Sequence, residues 1–446
     1  MSVIEGQGSR FLAGNYGPVG EEVTAFDLPV TGRLPDELTG RYLRIGPNPW
    51  PVPQGPYHWF TGDGMVHGVA LGGGQARWYR NRWVRTSAMA EKLGEPAPRG
   101  PEPPMFDASN TNVLGHAGRV LALTEGCIPY ELTAELDTVG RHDFGGPLPS
   151  GFTAHPKVDP ATGELLGFAY GFDHPYVRYH VIGSDGALVR SVDLDTAGPT
   201  MMHDFAVTEH HAVFFDLPVL FRLDLAMDPS VPFPFTWDDD YGARVGILPR
   251  DGSGAVEWFE VDPCYVFHPL NAYEDGDRVV VDVVRYPSMF RPATEASPTE
   301  PVTTLDRWVI DRTSGKVHED RLDDRHQEFP QVDPRRVGRE HRYGYAASAA
   351  AFGKEGSSIL KHDLRHGSVE SHEFGTAKVP GEASFVPAAA GAGEDEGWLL
   401  SFVYDGERDG SDLVVLDATD LAGPPVAVVT LPQRVPFGFH GNWVPD

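Results

Sequence analysis

RWVIDRTSGKVHEDR, residues 307–321, is the stretch on which the reading of the fold turns. A β-favouring run leads into Ser314-Gly315, a turn signal, and the chain then returns in a second extended run, so the segment reads as a β-hairpin. The pattern spreads in both directions. RYLRIG (41–46), MVHGVAL (65–71), ARWYRNRWVR (76–85), LLGFAYGF (165–172), DRVVVDVVRYP (277–287), WLLSFVYD (398–405) and DLVVLDA (412–418) are short runs rich in Val, Ile, Phe, Tyr and Trp. Such residues suit half-buried pleated surfaces. TGDG (61–64), ATGE (161–164), SDGA (184–187), EDGD (274–277) and RDGSD (408–412) supply turns between them. Helical signal is confined to residues 86–94, ending at Gly94, and to AASAAAFG at 346–353. Pro-rich 95–104 and 286–301 read as irregular excursions.

So many short strands need a way to hide their sheet edges. Radial repetition does this, and about 60 residues per blade would give seven blades. No linker-like run interrupts the pattern, so we expect one all-β domain, a seven-bladed β-propeller over residues 1–446, with two stacked β domains as the competing reading.

The 446 residues carry 64 acidic and 36 basic side chains, a formal charge of -28, which repels phosphate backbones and argues against a nucleic-acid partner. No apolar run reaches the ~18 residues of a membrane-spanning helix. The N-terminus lacks the basic and apolar regions of a signal peptide, and the two cysteines, Cys127 and Cys264, form no disulfide framework, so we expect a cytoplasmic protein. No obligate protein partner is evident.

Of 18 histidines, His210, His211, His318, His326, His341, His362, His366 and His372 sit among charges and turns and read as solvated. Four others lie in apolar settings: His155 in FTAHPKVD, His203 in MMHDFAV, His268 in YVFHPLNAYE and His440 in PFGFHGNW. A buried neutral imidazole needs a partner. Their spacings of 48, 65 and 172 residues exclude a zinc finger or an HExxH helix. In a propeller, however, inner strands converge on one axis, so ligands about a blade apart can meet at one ion. All-imidazole ligation suits iron, copper, zinc or nickel. Glu125 in LALTEGCIPY, Glu328 in RHQEFPQVD and Glu382 in VPGEASFVP also lie in apolar or Pro/Gly settings, and ligating imidazoles usually donate their second N–H to such a group. The residues alone leave two readings open: separate core histidines, or one metal shell.

These contexts, with GRYLRIGPNP…YHWFTGDGMVHGV over 40–69, resemble the carotenoid cleavage oxygenases, the superfamily of apocarotenoid and stilbene-cleaving oxygenases and the retinoid isomerase. The similarity runs from about residue 15 to the C-terminus. It implies a seven-bladed propeller with a helical and loop cap over its metal-bearing face. It implies one Fe(II) held by His155, His203, His268 and His440, with Glu125, Glu328 and Glu382 orienting three of the four imidazoles. It implies dioxygen as co-substrate, inserted across a conjugated double bond to give two carbonyl products.

The resemblance also places Thr111 where a small side chain shades one coordination position, and Phe60 and Phe267 along the substrate tunnel. Stilbene-cleaving members carry a lysine just before the first glutamate and a tyrosine upstream; here stand Thr124 and, near the second position, Trp83. Both departures favour a carotenoid or apocarotenoid over a phenolic alkene such as a vinyl- or propenylphenol. A polyene resides in membranes, so residues 220–235, dense in Phe, Leu and Pro, are a candidate for weak peripheral membrane contact. A non-enzymatic, protein-binding propeller is the reading from another class. A serine hydrolase lacks its G-x-S-x-G elbow here.

Overall fold

The computed structural model describes residues 9–104, 106–291, 302–348 and 357–446. The hairpin at 307–321 forms as the sequence predicts. Strands Thr304–Asp311 and Lys316–Asp323 pair antiparallel, with Asp311 opposite Lys316. Gly315 sits at φ 73°, a left-handed conformation that a Cβ would strain, and the Asp311 carboxylate accepts from the amides of Thr313 and Ser314 to hold the tip.

This hairpin is the outer half of a four-stranded sheet whose inner half is Tyr265–Asp275 and Arg278–Tyr286. The unit recurs to give a seven-bladed β-propeller. Taking blade 1 as the one built on Gly40–Pro47, the hairpin belongs to blade 5. Blades 2, 3, 4 and 6 are four-stranded meanders with inner strands Asn112–His116, Lys157–Val158, Ala206–Val207 and Gln327–Gln331.

The ring is closed twice. The C-terminal strand Gly441–Pro445 supplies the inner edge of blade 1, pairing with Gly40–Pro47. The N-terminal strand Val30–Gly32 supplies the outer edge of blade 7, pairing with Ala427–Thr430. Each chain end completes a blade begun by the other, which covers the open edges that an unclosed sheet array would expose.

Apolar wedges between neighbouring blades hold the ring. Val213, Phe215, Val245 and Ile247 of blade 4 pack against Tyr265, Val281, Val283 and Trp308 of blade 5 in one cluster. Leu43, Ile45 and Val66 of blade 1 pack against Val113, Val120 and Tyr130 of blade 2 in another. Trp308 is fully buried, and truncating such a side chain to alanine costs about 3–5 kcal/mol.

Helix is sparse. Ser87–Leu93 forms where the sequence predicts, capped by the Thr86 hydroxyl accepting from the Met89 amide and ended by Gly94 at φ 69°. A one-turn helix, Leu223–Ala226, is the other α-helix among the described residues. No described helix is long and apolar enough to cross a membrane. Segments 95–104 and 287–291 are irregular, as expected; 292–301 lie outside the described residues.

Two expectations are corrected. The helix at 346–353 is not formed where it can be described: residues 346–348 finish the strand Tyr343–Ser348, and 349–353 lie outside the described residues. Ala346 and Ala347 are buried opposite Leu360 and Ile359, so cross-strand packing overrides alanine's helix propensity. His341 and His362 are buried rather than solvated. The His341 ring lies 3.2 Å from buried Asp282, and His362 Nε2 lies 2.7 Å from Gln327 Oε1. Charged sequence neighbours leave such a ring free to turn inward, because adjacent side chains on extended chain face opposite ways.

Candidate metal centre

His155 and His203 lie just ahead of the inner strands of blades 3 and 4, His268 lies within that of blade 5, and His440 immediately precedes that of blade 1. These positions share one end of the ring, so side chains far apart in sequence converge on its axis. One nitrogen from each imidazole lies within 4.8 Å of the other three, and all four rings are buried.

The remaining three blades supply the carboxylates. Glu125 follows the strand Arg119–Leu123 of blade 2, Glu328 lies in the inner strand of blade 6, and Glu382 precedes Ser384–Pro387 of blade 7. Glu125 forms a close pair with His203 Nδ1. Glu328 Oε2 lies 2.6 Å from His268 Nδ1, and Glu382 Oε1 lies 3.0 Å from His440 Nδ1. His155 has no glutamate partner among the described residues; Asp204 Oδ2 stands 3.9 Å from its Nδ1, beyond hydrogen-bonding range, and is held by Lys157 Nζ at 2.8 Å from Asp204 Oδ1. Every blade thus sends one side chain to the centre or to its rim.

Burial, aided by the neighbouring rings, pushes the His155 pKa well below its ordinary value. Burial also lowers that of His268 against the pull of Glu328. His203 moves upward, because the Glu125 carboxylate outweighs burial. Glu328 and Glu382 are held below the usual carboxylate range: burial opposes ionisation, but the partner imidazoles and other donors outweigh it. Those donors are the Phe329 amide at 2.6 Å and the Tyr286 hydroxyl at 2.7 Å on Glu328. On Glu382 they are the Gly441 amide at 2.8 Å and the Gln331 side-chain amide at 2.7 Å.

An ionised carboxylate on Nδ1 keeps the proton there and turns the Nε2 lone pair inward. His203 Nε2 and His268 Nε2 then face each other at 3.3 Å, and buried His155 Nε2 has no hydrogen-bond partner. Converging lone pairs beside buried carboxylates are a poor arrangement by themselves and a good one around a cation. The residues fit a metal ion of the imidazole-preferring kind.

An aromatic wall stands beside the cluster. The Phe267 ring lies edge-on to His203 at 5.0 Å, and Phe60 lies 6.3 Å from Phe267. Sequence reading missed Phe329, which sits 5.7 Å from His268 and 5.4 Å from His440, and Phe233, Phe290 and Phe439 around Phe60. It also missed Tyr286 and Gln331, which no local motif marks. Thr111 and Thr124 share a network instead of standing apart: both hydroxyls bond Asn110 Oδ1, at 2.8 and 3.1 Å, and the Thr111 carbonyl accepts the His440 amide at 3.0 Å. Trp83 is buried with Val19, Met65 and Met89, and its indole donates to the Asn48 carbonyl at 2.9 Å.

The candidate membrane-contact segment, 220–235, follows a buried strand. Phe214 and Phe215 are buried in the strand His211–Asp216, whereas Leu223 and Met227 are 67% and 76% exposed. Phe233 turns back and stacks on His58, 4.7 Å between ring centres, which joins this loop to the aromatic wall.

A closed seven-bladed propeller with four buried imidazoles on its axis defines a metalloenzyme scaffold. Residues 16–445 match the family model described as retinal pigment epithelial membrane protein. The carotenoid cleavage oxygenase of Mycobacterium tuberculosis is 44% identical over 98% of this chain and 97% of its own. The carotenoid 9,10(9',10')-cleavage dioxygenase 1 of Phaseolus vulgaris is 35% identical over 98% and 90%. Among solved structures, the lignostilbene dioxygenase of Pseudomonas brassicacearum superposes with a TM-score of 0.89 at 29% identity, covering 100% of both chains. The cobalt-substituted apocarotenoid oxygenase of Synechocystis superposes with a TM-score of 0.84 at 29% identity, covering 96% and 97%. The chain belongs to the carotenoid cleavage oxygenase family and is a metal-dependent oxygenase.

Proposed function

We propose that the protein is an iron(II) dioxygenase that cleaves one conjugated C=C bond of a carotenoid or apocarotenoid. One dioxygen is consumed, one oxygen atom goes to each carbon of the broken bond, and two carbonyl products leave with no external reductant. The observation that carries this reading is the inward convergence of four buried imidazoles, three of them paired with glutamates, of which Glu328 and Glu382 are buried and Glu125 is half-buried.

In this reading His155, His203, His268 and His440 hold the iron, which when bound supplies the activation of dioxygen that an organic side chain cannot. Glu125, Glu328 and Glu382 fix the tautomer and plane of three rings and offset the ion's charge. Thr111, tied to His440 through its carbonyl, keeps a small side chain beside the ligand set. Phe60 and Phe267, with Phe329, form an apolar wall that orients a polyene and excludes water. Thr124 spends its hydroxyl on Asn110 and Trp83 spends its indole on Asn48, so neither is placed to grip a phenol. Exposed Leu223 and Met227 within 220–235 support a weak, reversible contact with a membrane surface from a cytoplasmic location.

The relatives named for carotenoid cleavage support the polyene reading. The structural likeness to a lignostilbene dioxygenase supports a second, in which the same chemistry acts on a phenolic alkene. Metal analysis of anaerobically prepared protein should find about one iron per chain. Turnover against polyene and phenolic-alkene panels under labelled dioxygen should give labelled aldehydes from the polyenes. An active zinc protein would overturn the iron assignment, and turnover of the phenolic panel alone would overturn the substrate.

A further inference from the structure

The inner strand of blade 5 carries His268 near one end of the ring and Tyr273 five residues on, about 17 Å away at the usual rise per residue. Around Tyr273, away from the metal centre, lies a groove of about 690 Å³ lined by Arg307, Arg336, Arg339, Arg342 and Arg365. Five arginines at one groove are unexpected in a chain of formal charge -28.

Several are fixed from behind. Arg307 is held by fully buried Asp282 through Nε and Nη2 at 2.7 and 2.8 Å. Arg342 is held by Asp363, at 3.1 Å from Nε and 2.6 Å from Nη2. Arg339 spends Nη1 on the Val337 carbonyl and shares Asp159 with Arg250. Each guanidinium has five N–H donors, and these contacts leave donors unspent. Arg307 Nη1, Arg342 Nη1 and both Nη atoms of Arg336 make no hydrogen bond among the described residues. The Arg336 Nε meets Glu394 only at 3.4 Å, and the Arg365 guanidinium has no ion pair among the described residues. Glu340 and Glu394 are the carboxylates on the lining itself.

We infer that this groove binds a small, soluble, polyvalent oxyanion of the diphosphate or tricarboxylate kind. The fixed Arg307 and Arg342 each present an unspent Nη1, the guanidinium groups of Arg336 and Arg365 can take such oxygens two at a time, and the volume is that of a small-molecule site. Asp282, Asp363 and Asp159 offset much of the positive charge. Recognition therefore rests on donor geometry, and an anion with several oxygens is bound in preference to chloride.

Calorimetric titration of the metal-loaded full chain with inorganic pyrophosphate, and separately with citrate, at 0.15 M salt tests this. One saturable site is expected, and the stronger of the two probes identifies the class. Arg336→Ala with Arg365→Ala should weaken binding at least tenfold while leaving the ligand-free melting temperature and the metal content unchanged. Both probes chelate metals, so metal content is measured after each titration; the double variant, whose imidazoles are untouched, separates groove binding from chelation. Absence of a saturable site, or unchanged affinity in the double variant, overturns the inference.

Discussion

The hydroxyl of Tyr286 lies 2.7 Å from Oε1 of Glu328, whose other oxygen lies 2.6 Å from His268 Nδ1, so a tyrosine of blade 5 reaches an imidazole of its own blade through a carboxylate of the next. Tyr286→Phe leaves a buried carboxylate oxygen without its donor, a loss of about 1–3 kcal/mol. We expect a lower melting temperature and tighter dependence of activity on added iron, read by thermal melts with and without metal. A variant matching wild type in both would remove Tyr286 from the support of the centre.

Glu382→Gln keeps the shape of the side chain but removes the charge that faces His440 Nδ1. Loss of such an outer-shell partner typically weakens metal binding about 10–100-fold. Competition against a chelator should show this, with the fold preserved by circular dichroism.

Backbone close approach sets the position of His440. A Cβ on Gly438 would meet the Ile45 carbonyl oxygen at 2.9 Å and Gly46 Cα at 3.1 Å, both backbone atoms that cannot swing away. Gly438→Ala should therefore destabilise by about 1–3 kcal/mol and reduce retained metal. Denaturant melts and metal analysis on the same sample check both.

Phe60 touches other aromatics of the wall, so its removal should act on substrate binding more than on the metal. Phe60→Ala is expected to raise KM for a polyene several-fold with a smaller change in kcat, the pattern of lost uniform binding. An unchanged KM would place the substrate elsewhere.

Acid should loosen the fold before carboxylates protonate. Burial lowers His67 from 6.5 to about 3, His58 to about 4 and His180 to about 4. Each depressed pKa favours the neutral ring in the native state. Its contribution is complete above pH 6.5, the ordinary value, and is lost as pH falls toward 3–4. The melting temperature should therefore decline from pH 6.5 downward. The depressed pKa values of His155 and His268 act in the same direction, so His67→Gln is the control: its decline should be shallower than that of wild type. Parallel profiles would remove His67 from the decline.

Much of this molecule was legible locally. The hairpin at Ser314-Gly315 and the helix ending at Gly94 follow from turn and cap chemistry that a few consecutive residues specify. His155, His203, His268 and His440 stood out because each is a polar ring in an apolar run. His341 and His362 did not, since their charged neighbours point elsewhere while the rings turn inward. Ala346 and Ala347 misled for a related reason: alanine fits a helix, but also the tight space between two paired strands.

By itself the sequence determined the strand-and-turn alternation, the apolar setting of four histidines and three glutamates, and the family those contexts resemble. Only the tertiary structure decided which glutamate serves which imidazole and that His155 has none among the described residues. It likewise decided that Tyr286 and Gln331 support the carboxylates and that arginines from blades 5 and 6 share one groove. Pattern and capping depend on neighbours within a few residues, whereas these pairings depend on ring closure, which brings residues 125 and 203, 268 and 328, and 382 and 440 together across different blades.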